Sequence, residues 1–355
     1  MIVGAVLAHI RQARYIRSIL RKYRSALAPG KYYMFDNFRS LCLQSSIIPG
    51  ETEQFFPVES STRIRRCTCK VLNVLRYFYI GRGNFEGIYE ALYIANNYDK
   101  IREIKLFSFK KKKVLTICTS DANATRQLEE YETFGKAYKM PSVTKNDQFE
   151  NALEISMIER LIYPGEEQAL TAIAMATETY NQNMSNLHRE QVKSLISFDY
   201  GDDLINAYMA DLLKGLPKDI MELNLPICLQ HGDLSKDNLL FGVADGEEAF
   251  WWIDWEHVGN RVFFYDYFFY IINSAFYKDV AAFRYYISGR ADAILDKFFS
   301  RMGVEFDSAK RWDYFIVFSI IFLKERVCDL GNIGALNRYC DLIKELKMIS
   351  DGISI

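Results

Sequence analysis

Two short acidic stretches carry the strongest chemical signal in this sequence. The first reads Gln230-His231-Gly232-Asp233-Leu234-Ser235-Lys236-Asp237-Asn238-Leu239-Leu240, and the second reads Trp251-Trp252-Ile253-Asp254-Trp255-Glu256. Phosphoryl transfer requires a carboxylate near the attacking hydroxyl and oxygen ligands that hold Mg²⁺ against the phosphates. Asp233 follows a short apolar strand and sits in a turn, where a carboxylate can accept a hydroxyl proton. Asn238 is near enough along the chain for a loop to return its amide oxygen to the same place. Asp254 ends a very apolar strand, which would hold its carboxylate rigidly beside the first loop. Mg²⁺ takes hard oxygen ligands, commonly one or two carboxylates together with phosphate oxygens, so the set fits a metal–nucleotide site. The plainer reading is that these acids only cap turns. It requires two such motifs to arise in this order as filler.

The elements that must position these residues can be read from pattern. Tyr89–Ala95, Ile101–Phe109 and Val114–Thr119 predict a meander of antiparallel strands, separated by Asn96-Asn97-Tyr98-Asp99 and by the lysine run 110–113. Ala122 to Tyr138 predicts a helix, with Leu128, Tyr131, Phe134 and Tyr138 on one side. Pro141 stops it, and two more strands are expected near 142–145 and 152–161. After Pro164-Gly165 the stretches 166–186, 187–198 and 202–213 carry helical spacing. Residues 227–230 read as a short strand, 239–242 and 250–253 as a small hairpin, and 264–355 as helices. Phe264, Tyr267, Phe268 and Ile271 lie at helical spacing within an aromatic run and read as core. The expected fold class is α+β and two-lobed, with a small antiparallel-sheet N-lobe and a larger, mostly helical C-lobe. The expected division is a basic helical extension over 1–64, the sheet lobe over 65–165 and the helical lobe over 166–355.

Composition narrows the function classes. Half of the 355 residues are hydrophobic and a quarter are charged, enough to bury a sizeable core. The net charge of −1 gives no reason to expect a nucleic-acid partner. Charge is uneven, however: Arg11, Arg14, Arg17, Arg21, Lys22, Arg24 and Lys31 come before any Asp or Glu. Residues 8–28 read as a basic helix that could lie on an anionic membrane surface or hold an anionic substrate. The plainer and favoured reading is a solvated helix face packed on the domain. Met1–Ala8 and the apolar run 314–323 are both shorter than the ~20 residues of a membrane span, and the arginines follow the first run rather than preceding it, against a secretory leader. The seven cysteines lack zinc-site spacing and read as reduced thiols of a cytoplasmic protein.

At the two acidic stretches the sequence resembles the aminoglycoside phosphotransferase and choline kinase family, whose fold is related to that of protein kinases. The family's His-x-Asp-x-x-x-x-Asn loop matches His231, Asp233 and Asn238, and its later aspartate after a hydrophobic strand matches Asp254. Asp266, in Phe264-Tyr265-Asp266-Tyr267, fits a further aspartate at the start of a helix. The resemblance implies ATP and Mg²⁺ as cofactors and a small hydroxyl-bearing molecule as acceptor: a sugar, an amino alcohol or a surface-polysaccharide precursor. It implies Asp233 as catalytic base, Asn238 and Asp254 as Mg²⁺ ligands and Asp266 as a structural cap. Adenine would dock on backbone groups of the hinge strand at Glu159, Arg160 and Leu161. Glu130 would be the helix glutamate of the ion pair that positions the phosphates. His231 is read as a structural hydrogen-bonding residue and Lys236 as a surface residue. The nucleotide loop would be Asn96–Lys100. The glycine-rich run 81–87 lies upstream of it and reads as a turn.

The sequence departs from the family at one place. The strand Val114-Leu115-Thr116-Ile117-Cys118-Thr119 carries no lysine, and the best register puts Thr116 at the lysine position. Lys113 is three residues away and faces oppositely. Either the register differs, or another basic residue substitutes, or ATP is held poorly. The second reading of the chain is therefore a catalytically impaired pseudokinase that binds nucleotide or a partner protein. A protein kinase fits less well, because the dozen or so residues from Asp254 to Asp266 leave no room for an activation segment.

Overall fold

The computed structural model describes residues 14–36, 41–44, 78–80, 87–97, 100–136, 138–181, 187–197, 203–255, 257–328 and 333–352. The described chain divides into two units. The first takes in residues 1–135, 140–162 and 241–249, and the second takes in 136–139, 163–240 and 250–355. The expected α+β class is the one found, with an antiparallel sheet in the first unit and helices dominating the second.

The sheet of the first unit has strands β1 (Gly30–Asp36), β2 (Leu41–Gln44), β3 (Phe78–Ile80), β4 (Ala91–Asn97), β5 (Lys100–Ser108), β6 (Lys113–Cys118), β7 (Val143–Lys145) and β8 (Ala152–Ser156). Their order is β3-β1-β2-β4-β5-β6-β8-β7. Strand side chains alternate between faces, and the two faces here differ. Leu92, Ile94, Ile104, Leu106, Leu115 and Ile117 pack on one face with Ile16, Ile19, Leu20 and Tyr23 of helix α1, residues 14–22. The other face meets helix α2 (Asp121–Phe134), where Cys118, Ala124 and Leu153 cluster with Leu128. Ser120 caps α2, its side chain accepting the Asn123 amide.

The expected boundary at residue 64 is not where the chain divides. β1 pairs with β2 and β3, and β2 with β4, so Gly30–Asp36 and Leu41–Gln44 are strands of the same sheet as the later ones. The buried apolar side of α1 docks the helix on that sheet, leaving Arg14, Arg17, Arg21, Lys22 and Arg24 exposed. With its apolar side occupied, α1 offers solvent a side that carries Arg14, Arg17, Arg21 and Lys22 beside Ser18. The remainder of 1–64, the glycine-rich run at 81–86 and positions 98–99 of the expected nucleotide loop lie outside the described residues.

In the first unit, strand β9 (Glu159–Arg160) pairs with β12 (Leu239–Ala244), Arg160 opposite Gly242 and Glu159 opposite Val243. A Cβ at Gly242 would stand 2.3 Å from the Glu159 carbonyl oxygen, so only glycine permits this approach. The turn after β12 is pinned by Asp245, whose carboxylate accepts the Ser142 amide (2.8 Å) and the Ser156 hydroxyl (2.6 Å).

The second unit begins its helices with α3 (Glu166–Asn181). The helix expected over 187–198 is instead strand β10 (Arg189–Gln191) and the short α4 (Val192–Leu195). Pairing with β11 (Asn224–Gln230) overrides the local helical spacing there. Helices α5 (Asp203–Lys214) and α6 (Lys218–Glu222) precede β11. Strands β13 (Glu247–Trp252) and β14 (Gly259–Val262) follow β12, and β14 pairs with β11. Then come α7 (Tyr265–Phe276), α8 (Ala281–Ile287), α9 (Asp292–Arg301), α10 (Arg311–Phe322), a π-helical segment over Leu323–Cys328, and α11 (Ile333–Gly352). Phe264, Tyr267, Phe268 and Ile271 are fully buried, as read from the sequence, among the rings of Phe263, Phe298, Phe315 and Phe318. Cys118, Cys228 and Cys340 are free and buried. Among the described residues no helix is long and apolar enough to cross a membrane.

Candidate active site

The loop from β11 to β12 and the turn after β13, both in the second unit, are joined by hydrogen bonds. The Asn238 Nδ2 donates to the Asp233 carbonyl oxygen (2.8 Å), and the Ile253 amide donates to the Asn238 carbonyl oxygen (3.0 Å). His231 spans the same two segments. Its Nε2 lies 2.9 Å from the Ile253 carbonyl oxygen, which can only accept, so Nε2 carries the proton. Nδ1 is then the acceptor for the Asp233 amide at 3.3 Å. The ring is fully buried and packs against Trp255, with centroids 4.7 Å apart. His231 is thus a neutral structural link, as the sequence suggested, and it couples the residue before Asp254 to the backbone of Asp233.

Asp233 is held through its backbone at three points, because its carbonyl also accepts the Ser235 amide at 2.9 Å. Its carboxylate is therefore carried on a fixed stem. Asn238 is buried and has its amide nitrogen committed, which leaves Oδ1 as the atom suited to a cation. Asp254 is exposed and adopts φ = +66°, a left-handed conformation that aspartate tolerates better than most residues. Non-glycine residues in this region cluster at functional sites. Among the described residues no three His, Cys, Asp or Glu side chains gather into a ready-made metal cage. Two hard oxygen donors, Asn238 and Asp254, on hydrogen-bonded segments fit Mg²⁺, which keeps waters and phosphate oxygens as its other ligands.

Asp266, in the first turn of α7, lies beneath the loop. It is 1% exposed, and its two carboxylate oxygens accept the His231 amide (2.6 Å) and the Gly232 amide (2.8 Å). Its own amide donates to Gln230 Oε1 at 3.1 Å. Burial pushes the carboxyl up to about 6, against the opposing pull of the two amides and of Arg261. Arg261 is the second support. Its Nε lies 2.7 Å from Glu325 in the π-helical segment, a second nitrogen also pairs with Glu325, and Nη1 donates to the His257 carbonyl oxygen at 3.0 Å. Gly232, at φ = +79°, sits directly against this group. A Cβ there would meet the His257 oxygen at 2.3 Å and Arg261 Nη1 at 2.5 Å.

Lys236 is not the solvent-facing residue expected. Its Nζ lies 2.7 Å from both Glu166 and Asp279 and 4.8 Å from the centroid of the Tyr163 ring. Burial alone would favour the neutral amine, but the two carboxylates outweigh it and raise the pKa. Tyr163 and Tyr270 hydroxyls meet each other and Glu166, closing the cluster. Glu166, Asp279, Arg261 and Gln230 carried no local sequence signal, since each acts on a partner remote along the chain.

The remaining expected residues lie in the first unit. Leu161 commits its amide to the Phe241 carbonyl (3.0 Å), which by strand alternation turns the Arg160 backbone groups to the other side of β9. Glu159 pairs with Lys112. Glu130 on α2 lies 3.8 Å from Arg126, one turn earlier. Gln127 of α2 donates to Glu103 on β5 and accepts from Cys118 Sγ at 3.6 Å, and Asp121 of α2 pairs with Lys145 on β7 at 2.8 Å.

Residues 168–294, which include both acidic stretches, match the model of the phosphotransferase enzyme family (APH). Solved structures similar to the chain include a choline/ethanolamine kinase family protein from Mesorhizobium loti (14% identity, 74% of this chain and 87% of that one, TM-score 0.37). Others are the choline kinase LicA from Streptococcus pneumoniae (16%, 71% and 92%, TM-score 0.39) and aminoglycoside phosphotransferase APH(4)-Ia (14%, 72% and 92%, TM-score 0.41). No curated protein matches the chain.

Proposed function

We propose that this protein transfers the terminal phosphoryl group of ATP, with Mg²⁺, to a hydroxyl of a small molecule. The proposed acceptors are a sugar, an amino alcohol or a surface-polysaccharide precursor. The observation that carries the reading is the pairing of the two acidic turns: Asn238 on the Asp233 carbonyl, Ile253 on Asn238, and His231 bridging Ile253 to Asp233. Asp233 takes the acceptor's hydroxyl proton as the hydroxyl oxygen bonds to phosphorus and the bond from phosphorus to ADP breaks. Asn238 Oδ1 and the Asp254 carboxylate would hold Mg²⁺, which when bound neutralises phosphate charge. Asp266 keeps the loop in shape by holding the His231 and Gly232 amides. Of the hinge residues, Arg160 is proposed to present its backbone groups to the base, since they face away from β12, whereas Leu161 spends its amide on Phe241 and Glu159 lies on the same paired side of β9; Glu130 remains a candidate for the phosphate side.

One feature of the sequence favours a second reading, a pseudokinase that binds nucleotide without turnover: the best register puts Thr116, on β6, at the lysine position that the resemblance implies. A phosphotransfer assay with Mg²⁺–ATP and a panel of hydroxyl acceptors separates the two. Wild type is expected to turn over and Asp233→Ala to lose activity by at least ~10²-fold, the usual weight of a positioned base, with an unchanged melting curve. Equal turnover in the two proteins would remove Asp233 from the mechanism, and an inert wild type that still binds ATP would establish the pseudokinase.

A further inference from the structure

We propose that Lys105, on β5, supplies the cation that holds the nucleotide phosphates in place of the lysine absent from β6. The inference rests on the phosphotransferase reading above and deepens it.

The register of the sheet carries the argument. In an antiparallel pair, directly opposed residues point to the same face with Cβ atoms about 5 Å apart. Thr116 on β6 is the direct partner of Lys105 on β5. Their shared face is the one that meets α2, because Cys118, two residues on from Thr116, packs there with Ala124 and Leu128. Moving the cation from β6 to β5 shifts its root by one strand spacing, about 4.8 Å. A lysine has a flexible four-carbon stem and a rotatable ammonium, so it can span that shift. The short side chain of Thr116 leaves the way open.

Thr116 itself is 2% exposed, and its Oγ1 has no hydrogen-bond partner among the described residues. A buried hydroxyl left in that state is costly and marks a position not optimised for stability alone. Lys113 cannot fill the role. It lies on the opposite face, 3.4 Å from Glu154, and Glu154 stands across from Leu115 in the apolar layer under α1.

The surroundings of Lys105 suit a phosphate. Its Nζ lies 3.5 Å from Glu103, with the lysine side chain 34% exposed. The ammonium thus sits beside a mostly buried carboxylate while a third of the lysine side chain still reaches solvent. Glu103 in turn accepts a hydrogen bond from Gln127 of α2. The sequence Lys105–Glu103–Gln127 links strand to helix as a lysine–glutamate pair would, with the glutamate on the strand and a glutamine on the helix. One step along the same face, about 7 Å away, Phe107 joins Ala91 and Met157 in a buried apolar cluster edged by the partly buried Tyr93, Phe109 and Val114. The partly buried edge of that cluster is the apolar contact that a purine base beside the cation would use.

Calorimetric titration of the full-length protein with Mg²⁺–ATP and with adenosine tests this. Wild type, Lys105→Met, Lys105→Arg and Lys113→Met are compared. Lys105→Met should bind Mg²⁺–ATP about 10- to 100-fold more weakly, the loss expected of one charge-assisted hydrogen bond, with adenosine binding unchanged. Lys105→Arg should recover most of the loss, and Lys113→Met should match wild type. Wild-type ATP affinity in Lys105→Met, or an equal loss for adenosine, would overturn the role of Lys105 and leave the phosphotransferase reading in place. A wild type that binds no nucleotide would overturn both.

Discussion

At the scale of single residues, the most informative group is Asp266, which holds the loop without belonging to it. Its carboxyl is buried and raised to about 6, compared with about 3.9 in an unfolded chain. A carboxyl whose folded pKa lies above its unfolded one binds protons more readily in the folded state. Its contribution to stability is therefore fully present below about pH 4 and is lost as pH rises through about 6. A shift of about two units corresponds to ~3 kcal/mol as an upper scale. Asp266→Asn cannot titrate, so the fall in stability from pH 4 to pH 6 should be flatter in the variant than in wild type, by chemical denaturation at each pH. Parallel profiles for the two proteins would show that Asp266 does not titrate in this window.

At the scale of elements, the loop between β11 and β12 is shaped by what lies under it. Gly232 adopts φ = +79° against the His257 carbonyl and Arg261, which is itself paired with Glu325. π-Helical turns are rare and recur at functional sites. Here such a turn sets the carboxylate that orients Arg261. A methyl group at Gly232 would pay both the left-handed penalty, ~1–2 kcal/mol, and a close contact with backbone. Gly232→Ala is expected to lose at least ~2 kcal/mol of stability together with activity. An equally stable, active variant would show that the loop can move away from Arg261.

At the scale of the whole molecule, the two units are each built on their own core, and the amino-terminal helix belongs to the first. Leu20 is 1% exposed among Ile16, Ile19 and Tyr23 and the apolar face of the sheet. Leu20→Ala should cost about 2–5 kcal/mol, read as faster hydrogen exchange of the amides of β4–β6. Exchange confined to α1 would mean that the helix can detach without loosening the sheet. The exposed arginines on the other side of α1 are separate from this packing, which is why a basic stretch could be read from the sequence both as a surface-binding device and as an ordinary docked helix.

The sequence by itself singled out the candidate residues and most of the regular elements. Asp233, Asn238 and Asp254 sit in short motifs whose spacing is local, and the strands at 91–97, 100–108 and 113–118 alternate or run apolar in ways a linear reading detects. It also put Thr116 at the position where the resemblance implies a lysine. It did not reveal β1 and β2, whose mixed composition becomes strand only through pairing, nor the fate of 187–198, where a neighbouring strand overrode helical spacing. Tertiary structure alone decided the supports: Asp266 under His231 and Gly232, Arg261 held by Glu325, Lys236 between Glu166 and Asp279, and Lys105 opposite Thr116. The reason is physical. Local patterns record which way a side chain faces its own strand or helix, whereas hydrogen bonds and cross-strand partners depend on register between segments remote along the chain. A shift of register by one residue would exchange every one of those neighbours.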